Sequence, residues 1–138
     1  MMNNMKIYFL VVFSFLIATT TKAQKVVDYK TKSALNAADR TVMLELLRAK
    51  MKNEYKSDFL FTVRHFKVAN NAAWFMGDAA WKVPKQMVLS ADKDCCHVEA
   101  LFKKIRGKWQ IIESEAFSTD VWYEGIWDRY TLPRAIFN

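Results

Sequence analysis

The chain has 138 residues, 52% of them hydrophobic and 14% aromatic, with a formal net charge of +7. That length supports one core of ordinary size rather than two, and so much apolar and aromatic content excludes an intrinsically disordered chain. Two cysteines are too few for a disulfide-framed miniature fold.

The chain opens with a basic residue, Lys6, followed by an apolar run over residues 7–18 and by small residues at Thr21 and Ala23. A basic start, a short apolar core and a small-x-small exit predict a secretory signal peptide over residues 1–23. The run is shorter than the about 20 apolar residues that span a bilayer. Cleavage after Ala23 leaves residues 24–138 as a single exported domain, periplasmic or extracellular, with no membrane span. Lys6 and Lys22 leave with the signal, so 19 of the 21 basic residues then face 14 acidic ones. No basic run exceeds two residues, so the surplus reads as solubility, and no nucleic-acid surface is predicted.

Residues 24–35 form a lead-in or a short extra strand. Asn36 is placed to cap a helix over residues 37–53, with Asp39 at its positive end. Met43, Leu46 and Leu47 centre an apolar stripe flanked by Val42, Leu44 and Met51, with Arg40, Glu45, Arg48 and Lys52 opposite, the 3.6-residue period of a helix packed on one side. Residues 57–69 then alternate as a strand through Phe59, Phe61 and Val63. The phase shifts to Phe66 and Val68, which predicts a β-bulge near Arg64 and His65. Asn70-Asn71 reads as a turn. A second strand follows over residues 72–83, with a bulge or break at Gly77-Asp78 and an end at Pro84.

Residues 85–94 are a polar connection. Cys95 and Cys96 are neighbours whose side chains point to opposite faces of a strand, so free thiols or an intermolecular bridge are expected. Residues 96–117 form a hairpin about Arg106-Gly107. A two-residue turn sets Phe102 opposite Ile111, and a three-residue loop sets Leu101 there. Leu101, Phe102, Ile111 and Ile112 make both hairpin faces apolar, so each face needs a cover. The helix is expected over one. The other falls to residues 118–138, where Trp122, Tyr123, Trp127 and Tyr130 lie within a dozen residues. The predicted fold is α+β: one main helix packed on a four-stranded antiparallel sheet, with a docked aromatic C-terminal tail.

A helix followed by a curved antiparallel sheet resembles the cystatin-like and nuclear-transport-factor-2-like folds. Local words also resemble small exported bacterial proteins: Arg40, Leu44, Leu47 and Arg48 in the helix, Gly107-Lys108-Trp109 at the turn, and Thr119-Asp120-Val121-Trp122, Arg129-Tyr130 and Pro133-Arg134-Ala135-Ile136-Phe137 in the tail. The resemblance implies a pocket between helix and sheet, in which some members place an Asp or Tyr for proton transfer, and it implies no activity for this group.

Candidate acid–base residues are Asp78, Asp120, Tyr123 and His65, each needing a pocket that shifts its proton affinity. Cys95 and His97 share a strand face and Cys96 does not. These two ligands fall short of the four a structural zinc takes, and His65 and Asp94 would both have to be recruited to reach that number. Solvated loop or core roles are the preferred reading, so no metal and no cofactor are predicted. Trp74, Trp109, Trp122 and Trp127 either line a ligand surface or fill the core. The resulting expectation is a non-catalytic module that holds a small apolar ligand or a protein of the cell envelope. The alternative is a small isomerase- or hydrolase-type enzyme with an acid in a helix–sheet pocket.

Overall fold

A computed structural model describes residues 25–82 and 93–138, without the side chains of residues 93–95. The predicted signal peptide, Pro84 and most of the polar connection lie outside the described residues. The described chain is α+β. A five-stranded antiparallel sheet of order β1-β2-β3-β4-β5 is formed by β1 (Val27–Asp28), β2 (Phe59–Ala69), β3 (Ala72–Trp81), β4 (Lys93–Ile105) and β5 (Lys108–Ser118). The main helix α1 (Ala37–Tyr55) lies between β1 and β2 in sequence, and a short helix α2 (Ile126–Arg129) and a 3-10 turn (Arg134–Ile136) follow β5. Five strands replace the four expected. The additional one is the two-residue β1, which pairs Val27 with Val68 and Asp28 with Lys67 at the open side of β2.

Helix α1 buries Met43, Leu44, Leu47 and Met51. These pack on Phe66, Phe75, Val98, Phe102 and Phe117 of the sheet, and Ile111 joins the same cluster. Each such burial contributes about 1.5–3 kcal/mol relative to exposure. Val42 is an exception to the expected stripe: it is 47% exposed, because one position before Met43 turns the side chain about 100° away from the sheet. Asn36 precedes the helix as expected but does not cap it with its side chain. Its Oδ1 accepts from the Ser33 N–H and its Nδ2 donates to the Thr31 carbonyl, so the buried amide orders the approach to the helix instead. At the other end Lys56 takes the left-handed conformation and returns its N–H to the Lys52 carbonyl.

The strand irregularities lie where local chemistry requires them. Val63 pairs with Gly77 and His65 with Met76, leaving Arg64 as the extra residue of a bulge. Asn70 and Asn71 both hold positive φ and join Ala69 to Ala72 as a two-residue hairpin turn. At the second hairpin Phe102 pairs with Ile111, the register of the two-residue turn, and Ile112 is then skipped before Leu101 pairs with Glu113. Strand β3 runs unbroken through Gly77 and Asp78, contrary to the expected bulge or break there. The glycine is needed for a different reason: a Cβ at residue 77 would lie 2.5 Å from the Thr62 carbonyl oxygen and 2.7 Å from Phe75 Cζ.

Cys96 is disulfide-bonded, which corrects the expectation of free thiols. It sits at φ +82° within the irregular start of β4, outside the extended geometry on which that expectation rested. No helix among the described residues is long and apolar enough to cross a membrane.

Candidate functional site

The sheet face opposite α1 is where polar and aromatic side chains converge. Strand alternation places Trp74, Met76 and Asp78 of β3 beside His97, Glu99 and Leu101 of β4, with Trp74 paired to Leu101, Met76 to Glu99 and Asp78 to His97. Residues beyond β5 lie against this face. Ile126, Leu132 and Ile136 are buried in one cluster with Ala69, Ala72, Trp74 and Leu101. The Trp74 ring centroid lies 5.8 Å from that of Trp122, 5.1 Å from Tyr123 and 5.0 Å from Phe137.

Glu99 is the polar centre of the arrangement, with a side chain only 3% exposed. Trp122 donates its indole N–H to Glu99 Oε2 at 2.6 Å. His97 Nε2 lies 2.7 Å from Glu99 Oε1. On its other side the His97 ring meets Arg64 through Nδ1. The ring thus stands between a guanidinium at Nδ1 and a carboxylate at Nε2. Arg64 completes the row with an ion pair to Asp78, Nε to Oδ2 at 3.1 Å. The row thus runs from half-exposed Asp78 and Arg64 to the buried carboxylate. The Tyr123 hydroxyl is held above the ordinary phenol range by burial and, second, by the charge of Glu99.

Chemically, this row is closed upon itself. Each oxygen of Glu99 has a protein donor, as a buried carboxylate requires. The bonds tie β4 to the segment after β5 and leave neither oxygen as the free end of a proton relay. Asp78 and Tyr123 are brought to this face, Asp78 through Arg64 and Tyr123 through Trp74 and the field of Glu99. His65 and Asp120 serve elsewhere. His65 Nε2 lies 2.6 Å from the Ile136 carbonyl oxygen, and Asp120 is exposed, with its N–H bonded to Ser118 Oγ at 3.2 Å.

The four tryptophans do not line one pocket. Trp74 is fully buried and contacts Trp122. Trp127 packs on Phe137 at 5.7 Å beneath the Arg134 guanidinium. Trp109 lies on the opposite face in the α1 cluster, with Lys104 Nζ 5.4 Å from its ring centroid. Among the described residues no group of three or more His, Cys, Asp or Glu is placed to hold a metal ion.

Neither Glu99 nor Arg64 is among the candidate site residues the sequence suggests, although Arg64 lies at the expected bulge. A signal for Glu99 exists: it interrupts the run Val98-Ala100-Leu101-Phe102 in a strand whose two faces both need covers, so a carboxylate there has to be buried and bonded. Nothing local announces Arg64, whose reach depends on the bulge.

Several clefts open at the surface of the described residues, including one of about 400 Å³ along Trp127, Asp128 and Pro133; two of the larger ones flank α1. One, of about 440 Å³, lies beside α1 and the start of β2 and is lined by Arg48, Lys52, Asp58, Leu60 and Lys82 among others. The second, of about 360 Å³, follows β5 through residues 111–115 between Lys50 of the helix and Trp122. No family model, curated protein or solved structure matches the chain.

Proposed function

We propose that the chain is an exported, non-catalytic interaction module, released to the periplasm or the extracellular space after loss of residues 1–23. In this reading the C-terminal segment is a docked, permanent cover of the sheet, and the fold is of the cystatin-like or nuclear-transport-factor-2-like kind. The observation that carries the reading is the complete burial of Trp74 beneath Trp122, Tyr123 and Phe137. The helix–sheet face, on which such a fold would hold a small molecule, is filled as well, by Met43, Leu47, Phe66, Phe75 and Phe102. A protein of the cell envelope, meeting the outer surface, is therefore favoured over a small apolar ligand.

One observation favours the alternative, a small acid–base enzyme: Glu99, His97 and Tyr123 converge on one sheet face. The occupied oxygens of Glu99 weigh against it. Native mass spectrometry of the protein recovered from the exported fraction tests the proposal. The expected species begins at or near Gln24 and retains no small molecule. A stoichiometric apolar ligand that survives purification would replace the interaction module with a carrier.

A further inference from the structure

We propose that the outer edge of β5 is a strand-addition site for an extended, cationic peptide segment of a partner protein. The proposal rests on the interaction-module reading and specifies where and how the partner binds.

The two edges of the sheet are unequal. At the β1 side the two-residue edge strand pairs only with residues 67 and 68 of β2, and Arg40 donates to the carbonyls of Tyr29 and Lys30 at 2.8 and 3.2 Å. The start of β2 borders the cleft lined by Arg48, Lys52 and Lys82, cations that disfavour a cationic segment there. Strand β5 is eleven residues long and contains neither proline nor glycine. It pairs only with β4 among the described strands. In an antiparallel strand alternate residues turn their N–H and C=O groups outward, so such an edge is a template for another strand. The skipped Ile112 twists the edge locally, and the regular stretch 113–116 follows it. The 360 Å³ cleft lies along residues 111–115, with half-buried Ile111 and Ile112 in its floor and Trp122 in one wall. Backbone pairing with flanking apolar seats is the usual form of peptide capture at a sheet edge.

Charge selects the occupant. The chain as a whole is strongly basic, yet this edge carries Glu113 and Glu115, with Glu54 of α1 beside the adjoining depression over residues 114–116. Lys50 is the one cation lining the two depressions, and its contact with Glu54 is loose, at 3.7 Å. Glu113 keeps a half-exposed ion pair with Arg129 and accepts a hydrogen bond from the Tyr130 hydroxyl. Glu115 is exposed and has no ion pair among the described residues. A second copy of this chain is a poor occupant. Two-fold pairing centred on Glu113 sets that carboxylate against itself, and pairing centred on Ser114 sets Glu113 against Glu115 twice, and like charges directly opposite destabilise a strand pair.

The test is a titration of the ¹⁵N-labelled protein, residues 24–138, with a blocked nonapeptide of alternating threonine and lysine, followed by amide chemical shifts. The expected result is saturable shifts centred on residues 111–116. The alternating threonine–glutamate peptide, and a threonine–lysine peptide N-methylated at every second residue, should leave these amides unmoved. Glu115→Lys, an exposed substitution that keeps the fold, should weaken binding about tenfold. Equal binding of the acidic or N-methylated peptide overturns the proposal, as does no shift at millimolar peptide. Shifts confined to the Arg48 and Lys52 cleft also overturn it, and so does peptide-independent dimerisation that protects the β5 amides. None of these results bears on whether a small molecule is retained, so this proposal and the broader one fail separately.

Discussion

The indole N–H of Trp122 reaches Glu99 Oε2 at 2.6 Å, so the segment after β5 supplies the hydrogen bond that a carboxylate buried in β4 requires. Removing one partner of such a bond leaves a desolvated charge unsatisfied, and that asymmetry sets the size of the effect. Trp122→Phe keeps an aromatic ring beside Trp74 and deletes the donor together with the five-membered ring of the indole. Urea denaturation should show a loss of about 1–3 kcal/mol. In a Glu99→Gln background the same substitution should cost less, because the acceptor is no longer charged. Equal costs in the two backgrounds would mean that the bond does not couple tail to sheet.

Gly77 has a steric role that its sequence context conceals. An added methyl meets the Thr62 backbone oxygen at 2.5 Å, and a backbone atom across a strand pair cannot swing aside as a side-chain end can. Gly77→Ala should therefore lower stability by about 1–3 kcal/mol, the range for overpacking a filled interior, read as a shift in denaturation midpoint at unchanged slope. Met76→Leu, at the neighbouring half-buried position, is the control and should cost less. A neutral Gly77→Ala would show that β2 moves freely at the Arg64 bulge.

These two sites mark the limit of what the sequence discloses. Helix α1, the Arg64 bulge, the Asn70-Asn71 turn and the Phe102–Ile111 register were legible because each is decided within a few residues, by period, phase slip or turn chemistry. Val42 was misassigned because an apolar residue at the margin of a helical stripe has the right composition whichever way it faces. Asn36 was read as a cap because the residue type prefers that role, and its competing bonds to Ser33 and Thr31 appear only once the lead-in folds back. At Gly77 the sequence signals that a side chain is absent but not what stands in its place, which is a carbonyl from another strand. The Glu99 row is less legible still, since β2, β3, β4 and the final segment each contribute a member.

Tyr55 provides a pH-dependent check on how α1 meets the sheet. It ends the helix with its ring 5.1 Å from that of Phe117 and 6.1 Å from that of Phe59, both edge-to-face. Burial first, then the charge of Glu54 and a hydrogen bond to it, then the charge of Glu115, push its hydroxyl up to about 12 from 10.0. The folded value lies above the unfolded one, so folding favours the neutral phenol. Its contribution is complete below pH 10 and is lost as pH rises from there through about 12. Tyr29, Tyr123 and Tyr130 are raised in the same direction. Thermal melts between pH 9 and 12 should therefore show falling Tm for the unmodified protein and a shallower fall for Tyr55→Phe, which retains the ring contacts and cannot ionise. Parallel slopes would place the Tyr55 hydroxyl in water and the helix end further from β5.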